Sequence, residues 1–137
     1  LHDIGKIAVP ESILSKPGTL TEEERWEIRK HPETGASMVR DISYMAIAIP
    51  CIQHHHERYD GDGYPGGLIG ESIPLTARVL AVADTFDAII SDRPYRQART
   101  PAEAATEIVQ EAGRQFDPRV VDAFQRAVSK GLIVPVL

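Results

Sequence analysis

Two adjacent histidines, His55 and His56, stand directly before a segment rich in glycine and proline at residues 61–65. His54 precedes them, and three consecutive histidines are rare by chance in a chain of this length. Imidazole is a common ligand of transition metals, and the turn-forming residues that follow end the helix that carries it. The stretch therefore predicts a metal site at the end of a helix.

Further histidines and carboxylates lie far from this stretch, each in an otherwise helical pattern. His2 and Asp3 are adjacent, so their side chains point about 100° apart on a helix, but one aspartate can bridge two ions with its two oxygens. Asp84 stands among apolar residues, and a buried carboxylate costs several kcal/mol unless it is paired or binds a metal. We therefore expect Asp84 to occupy a core position beside a cation. Widely separated imidazoles and carboxylates form metal sites in helical bundles in this way.

Together the candidates supply six groups with nitrogen or oxygen ligand atoms: His2, Asp3, His31, His55, His56 and Asp84. This set is too large for one tetrahedral zinc ion, and it lacks the thiolates of many structural sites. We expect two or three divalent ions, with iron or manganese favoured over structural zinc. Such a cluster suits the hydrolysis of a phosphate ester, because it activates a water molecule and neutralises charge on the phosphoryl oxygens.

Helical periodicity and capping residues dominate the rest of the chain. Thr21 with Glu24, and Thr100 with Glu103, have the spacing of capping boxes at helix starts. Pro50 interrupts a helical pattern, so a helix either bends there or begins near it. Strand signals are scarce, and the predicted fold class is therefore all-α, a bundle of about six or seven helices. The predicted helices cover residues 1–8, 21–30, 33–40, 44–57 and 74–91, and two more begin at residues 101 and 118.

The composition is typical of a single globular domain, with 137 residues, of which 42% are hydrophobic and 26% are charged. A net charge of −5 gives no basic footprint for duplex nucleic acid, although metal ions allow an acidic chain to bind an anionic ligand. The sequence contains no membrane segment, because its longest apolar run is too short to span a bilayer. Cys51 is the single cysteine, and we predict a buried structural thiol in a cytoplasmic protein.

The order of these residues resembles the HD-GYP family, a bacterial branch of the HD-domain metal-dependent phosphohydrolases. The most specific stretch is residues 55–65, in which His-His-Glu is followed by Asp-Gly and Gly-Tyr-Pro. The resemblance extends from residue 1 to about residue 126. Its other motifs occupy residues 2–6, 31–35, 81–84, 91–96 and 115–118.

The resemblance implies an HD-domain helical bundle that hydrolyses the bacterial second messenger cyclic di-GMP to pGpG, GMP or both. It implies that His2 and Asp3 are the signature metal ligands, with Asp3 in a bridging position. The implied cluster is completed by His31, His55, His56 and Asp84. Asp3 and Lys6 are the implied catalytic residues, and Lys6 would orient or protonate groups around the scissile phosphate.

The same resemblance implies the substrate contacts. Arg93 and Arg96 match positions at which family members place cations against the substrate phosphates, a task that suits guanidinium groups. Gly63 and Tyr64 belong to the GYP loop, residues 61–65, which lies beside the substrate pocket. Tyr64 either stacks on a guanine or packs the loop onto the bundle. The family also implies that this loop docks GGDEF-domain cyclases.

Typical family members carry a further histidine on a helix upstream of the pair at residues 2–3. We therefore expect residues 1–137 to form an HD-GYP domain that lacks the N-terminal helix or helices of the fold, which leaves an apolar face open to dimerisation. Two other functions are open. One is a catalytically silent module that binds a cyclic dinucleotide or a GGDEF domain, and the other is a general HD phosphohydrolase that acts on mononucleotides.

Overall fold

The computed structural model describes residues 1–92 and 98–133, and these residues form an all-α fold, as predicted. The α-helices are α1 (Glu11–Leu14), α2 (Glu22–Arg29), α3 (His31–Val39), α4 (Ile49–His54), α5 (Leu75–Ile90), α6 (Pro101–Gln110) and α7 (Pro118–Ser129). Short 3-10 helices are formed at Ile4–Ala8, Ser43–Met45 and Gly70–Ser72. None of the helices in the described ranges is both long and apolar enough to cross a membrane.

The predicted capping boxes are confirmed. The Thr21 hydroxyl accepts a hydrogen bond from the backbone N–H of Glu24, and the Glu24 carboxylate accepts one from the backbone N–H of Thr21. Thr100 and Glu103 form the same reciprocal pair at the start of α6. These bonds satisfy backbone donors that have no partner within the helix.

Two details of the predicted helices differ. The first segment is a 3-10 helix at Ile4–Ala8, and it ends at Val9, which is extended as expected for a residue directly before a proline. Pro50 lies in the first turn of α4, where its missing N–H would have no helical partner. The helix that leads to His55 and His56 therefore begins at Ile49, one residue before Pro50, and does not bend there.

Two apolar clusters hold the helices together. The smaller joins α3 and α4 through Ala36, Val39 and Ile52. The larger joins α5, α6 and α7 through Val82, Phe86, Ile89, Ala104, Ile108, Phe116, Val120, Val121 and Phe124. Helix α5 contacts α4 on one side and the α6–α7 pair on the other, so it connects the two halves of the molecule.

Candidate metal centre

A close backbone approach brings the start of the chain against α3. A Cβ atom added to Gly5 would lie 2.0 Å from the carbonyl oxygen of His31 and 2.6 Å from the backbone nitrogen of Gly35. A glycine is therefore required at position 5 for the 3-10 helix to lie on α3 at this distance. The contact places Asp3, two residues earlier, beside the His31 side chain.

The rings of His31 and His55 are fixed by the same kind of hydrogen bond. His31 Nδ1 lies 2.6 Å from the carbonyl oxygen of Ile28, and His55 Nδ1 lies 2.7 Å from that of Ile52. Because a carbonyl oxygen only accepts, each Nδ1 must carry the proton. In the neutral ring, each Nε2 then presents a lone pair.

These two lone pairs face each other and one oxygen of Asp3. The Nε2 atoms of His31 and His55 are 3.4 Å apart, and Asp3 Oδ1 lies 3.3 Å from the first and 3.8 Å from the second. Asp3 Oδ1 is buried and has no hydrogen-bond donor among the residues that the structure describes. His56 adds a further nitrogen, and the four ligand atoms of Asp3, His31, His55 and His56 all lie within 4.8 Å of one another. Four acceptors that converge without a shared proton favour a bound cation.

The second oxygen of Asp3 faces a different set of groups. Lys6 Nζ donates to Asp3 Oδ2 over 2.7 Å, and His2 Nε2 lies 3.6 Å from the same oxygen. His2 Nε2 also lies 3.4 Å from Asp84 Oδ1. Asp3 thus stands between the histidine cluster on one side and the pair of His2 and Asp84 on the other.

The expectation that Asp84 occupies a core position is wrong. Its side chain is 38% exposed, and it lies at the rim of the cluster, opposite His2. Successive residues rotate by about 100° on a helix, so Asp84 faces away from Val82 and Phe86, which are buried in the larger apolar cluster. The apolar neighbours in the sequence therefore belong to another face of α5.

Burial lowers the basicity of the histidine cluster. It lowers the pKa of His55 to about 4 and that of His56 to about 3, and neighbouring histidines contribute in the same direction. Burial also lowers the pKa of His31, although the bond to Ile28 opposes this. Burial raises the pKa of Asp3, but the hydrogen bond and charge of Lys6 and the nearby His2 and His31 together outweigh it, so the pKa of Asp3 lies below its ordinary value. The cluster consequently presents neutral imidazoles and an ionised carboxylate at neutral pH, which is the protonation state that a metal requires.

The GYP loop lies directly against this centre. The Tyr64 ring stacks on the His56 ring at a centroid distance of 4.8 Å and an interplanar angle of 20°, and the Arg29 guanidinium carbon lies 5.4 Å from the centre of the Tyr64 ring. A Cβ atom on Gly63 would lie 2.2 Å from the backbone nitrogen of Arg58. Of the two predicted positions for Tyr64, the structure therefore has it packed on the bundle. Substrate contacts by Gly63 and Tyr64 stay predictions, and Arg93 and Arg96 lie outside the described residues.

Two residues that build this centre have no role predicted from the sequence. Glu57 is buried, and its carboxylate accepts hydrogen bonds from the backbone N–H groups of Gly66 (2.7 Å) and Leu68 (3.0 Å), just after the GYP loop. Gly5 permits the backbone contact described above. Both residues lie inside the family motifs. The available signals were a carboxylate directly after a histidine pair, at Glu57, and a glycine two residues after Asp3, at Gly5.

The ligand set fits divalent transition metals. Imidazole nitrogen and carboxylate oxygen suit iron, manganese and zinc, and no thiolate takes part. This fit depends on Asp3 Oδ1, which is buried and has no hydrogen-bond partner in the ranges that the structure describes.

The chain resembles several characterised proteins. It is 50% identical over 128 residues to the cyclic di-GMP phosphodiesterase response regulator RpfG of Xanthomonas campestris, a match that covers 92% of this chain and 34% of the relative. A cyclic di-GMP phosphodiesterase of Pseudomonas aeruginosa is 50% identical over 129 residues, with 93% of this chain and 31% of the relative covered. The 3'3'-cGAMP-specific phosphodiesterase 2 of Vibrio cholerae is 40% identical over 124 residues, with 89% of this chain and 24% of the relative covered. The chain thus spans about a third or less of the length of these relatives.

Solved structures show the same fold. A cyclic GMP-AMP-specific phosphodiesterase of V. cholerae superposes with a TM-score of 0.64 at 21% identity, over 91% of this chain and 33% of that one. An HD-GYP-type protein of Bdellovibrio bacteriovorus gives a TM-score of 0.63 at 25% identity, over 91% of this chain and 41% of that one.

The HD domain family matches residues 1–120, which is most of the chain. The predicted resemblance to HD-GYP proteins is also confirmed by the relatives and the solved structures. This protein therefore belongs to the HD domain family.

Proposed function

We propose that this chain is the hydrolytic domain of a metal-dependent phosphodiesterase that cleaves cyclic di-GMP to pGpG, GMP or both. The proposal assigns all of residues 1–137 to this domain. It is supported by two relatives, each 50% identical to this chain, whose names state this activity.

The observation that carries the proposal is the convergence of acceptors at Asp3. Within residues 1–92 and 98–133, Asp3 Oδ1 is buried without a donor, and it faces the Nε2 lone pairs of His31 and His55. A buried acceptor without a partner is costly, and such groups are retained mostly where they serve a function. The arrangement supports a cation between these three groups.

The two oxygens of Asp3 support more than one ion position. Oδ1 faces His31 and His55, whereas Oδ2 faces His2, which in turn lies beside Asp84. We assign the first position to Asp3 with His31, His55 and His56, and the second to Asp3 with His2 and Asp84. Two or three divalent ions, with iron or manganese preferred, would supply an activated water molecule and neutralise charge on the scissile phosphate.

Lys6 is assigned to the reacting phosphate. Its ammonium group already lies at the centre, where it donates to Asp3 Oδ2 over 2.7 Å, and its side chain is 39% exposed. A partly exposed cation in this position is able to reach an incoming phosphate oxygen while it keeps Asp3 ionised. Arg93, Arg96, Gly63 and Tyr64 complete the proposed substrate contacts.

The test is hydrolysis by the full chain loaded with Mn²⁺ or, without oxygen, with Fe²⁺. We expect cleavage of cyclic di-GMP that requires the metal and is abolished in Asp3→Ala. The matched control is Asp122→Ala, which removes an exposed aspartate of α7 and should leave the rate unchanged. A panel containing 3'3'-cGAMP and mononucleotides tests the substrate class, because one relative is named for cGAMP.

A metal-loaded chain that binds cyclic di-GMP but never cleaves it would exclude this proposal and favour a silent receptor. A chain that hydrolyses only mononucleotides would favour a general HD phosphohydrolase. Docking of a GGDEF domain on the GYP loop, dimer formation and a cytoplasmic location stay predictions.

A further inference from the structure

His56 differs from the other two histidines of the cluster in how its ring is held. Hydrogen bonds from Nδ1 to backbone carbonyls fix the rings of His31 and His55. The ring of His56 has no such bond within the described part of the chain. Its orientation is set by ring contacts, of which the stack with Tyr64 is the one closest to parallel, at 20° and 4.8 Å.

Tyr64 makes this contact through its ring. Its hydroxyl group forms no hydrogen bond with the described residues. Its backbone N–H donates to the carbonyl oxygen of His56 over 3.2 Å, which ties the loop to the residue whose ring it covers. The ring stack and this backbone bond both join Tyr64 to His56. Because Tyr64 belongs to the GYP loop, a movement of the loop would move the ring that covers His56.

Glu57 fastens the chain just beyond the loop. Its side chain is fully buried, and both of its oxygens accept backbone hydrogen bonds, one from Gly66 and one from Leu68. Bonds to an ionised carboxylate are about twice as strong as neutral ones. Directly before Tyr64, Gly63 lies so close to the backbone of Arg58 that a side chain at position 63 could not be accommodated. The segment on either side of Tyr64 is thereby held against the helix end that carries His56.

We propose that Tyr64 and Glu57 are positioning residues for the metal ligand His56. Histidine ligands of metals are ordinarily oriented by a hydrogen bond from the second ring nitrogen to a carboxylate or carbonyl. For His56 the Tyr64 ring takes this role, and the Glu57 carboxylate holds the Tyr64 ring in place. The inference rests on the proposed function only in taking His56 as a metal ligand.

The test is Mn²⁺ binding to the full chain in the absence of any nucleotide, measured by titration calorimetry. Tyr64→Phe keeps the ring and should bind Mn²⁺ as wild type does, whereas Tyr64→Ala should bind it about 10–100-fold more weakly, the usual effect of losing an outer partner of a ligand. Glu57→Gln replaces one accepting oxygen with a donor and should weaken binding about 10-fold. Tyr44→Ala, at a tyrosine that is 79% exposed, is the matched control and should change nothing.

The outcomes separate this inference from the proposed function. Wild-type Mn²⁺ affinity in Tyr64→Ala, together with a raised KM for cyclic di-GMP, would overturn it and assign Tyr64 to guanine stacking. Equal losses of Mn²⁺ affinity in Tyr64→Phe and Tyr64→Ala would also overturn it, because they would show that the hydroxyl group and not the ring positions His56. If Tyr64→Ala fails to fold, as judged by circular dichroism, Tyr64→Phe and Glu57→Gln decide the matter. A wild-type chain that binds Mn²⁺ without hydrolysing the dinucleotide contradicts the proposed function alone, and one that binds no Mn²⁺ contradicts both.

Discussion

Two aspartates of the molecule show opposite solutions to the burial of a carboxylate. Asp117, at the start of α7, is fully buried, and its oxygens accept from Arg78 Nη1 over 2.5 Å and from the backbone N–H of Arg119 over 2.8 Å. Asp3 is only partly buried, yet its Oδ1 atom is inaccessible to solvent and has no donor in the described part of the chain. The protein itself satisfies Asp117, whereas within the described residues Asp3 Oδ1 has no donor, and we propose that a bound cation takes this place. We therefore expect the first arrangement to serve stability and the second to serve the proposed metal site.

The same contrast extends to the two halves of the molecule. The half that contains Asp117 is built on a continuous apolar cluster of nine buried residues from α5 to α7. Among the described residues, the half that contains Asp3 has a smaller cluster of buried apolar residues, Ala36, Val39 and Ile52, with the histidines beside it. A binding site of polar groups takes the place of apolar core residues. The half of the molecule that contains such a site is therefore expected to contribute less to the free energy of unfolding.

The largest effect is expected from Asp3→Asn. The substitution keeps the shape of the side chain but removes the charge that faces His31 and His55, so Mn²⁺ affinity should fall by more than about 100-fold, beyond the range of changes in outer partners. The stability of the metal-free chain should not fall, because the new amide group can donate to the imidazole lone pairs. Titration calorimetry and urea unfolding in EDTA measure the two quantities. A substantial loss of metal-free stability would show that Asp3 is a structural residue like Asp117.

Asp117→Asn should give the reverse pattern. It leaves the Arg78 guanidinium, whose side chain is only 9% exposed, without a counter-charge, which typically costs roughly 3–5 kcal/mol of the free energy of unfolding. Mn²⁺ affinity of the folded fraction should be unchanged. The control is Arg126→Ala, which removes an exposed ion pair with Asp122 on the same helix and should cost less than about 1 kcal/mol. Urea unfolding measures the stability of the wild type and of both variants. A loss of Mn²⁺ affinity in folded Asp117→Asn would show that metal binding depends on both halves of the molecule.

The histidine cluster should make the metal-free chain sensitive to acid. The pKa of His55 is lowered to about 4 and that of His56 to about 3 in the native state, whereas the unfolded chain titrates near the ordinary value of about 6.5. Below that pH the unfolded state binds more protons, so the free energy of unfolding falls as the pH decreases from about 6.5 towards 4 and is level above about 7. Urea unfolding in EDTA at several pH values measures this slope. His56→Gln should reduce the slope, and a stability that is flat between pH 7 and 5 would contradict neutral, buried imidazoles.

Much of the site could be predicted from the sequence because its chemistry depends on residue type and motif. The ligand candidates His31, His55 and His56, with Asp3, do converge in the structure. The capping boxes were equally predictable, since a cap is a local interaction over three residues.

What the sequence did not reveal depends on tertiary contacts. Apolar neighbours suggested a core position for Asp84, but a residue is buried only if another element covers its face of the helix. The ion pair between Arg78 and Asp117 joins residues 39 positions apart, and no local pattern predicts it. Glu57 binds backbone N–H groups, which every residue carries, so its partners leave no trace in the sequence.

The smallest effect is expected from Gly5→Ala, which tests how the polar half is assembled. The added methyl group would overlap the carbonyl oxygen of His31 at 2.0 Å, and backbone atoms yield less easily than side chains, so the 3-10 helix must move away from α3. We expect a loss of about 1–3 kcal/mol in the free energy of unfolding, together with weaker Mn²⁺ binding, because Asp3 moves with this helix. Gly18→Ala is the control, since nothing lies within 4 Å of its added Cβ and only its left-handed backbone, with φ of +95°, is strained. Both variants should lose stability, but only Gly5→Ala should lose metal affinity. Equal Mn²⁺ binding by the two variants would show that the Gly5 contact supports the fold without positioning Asp3.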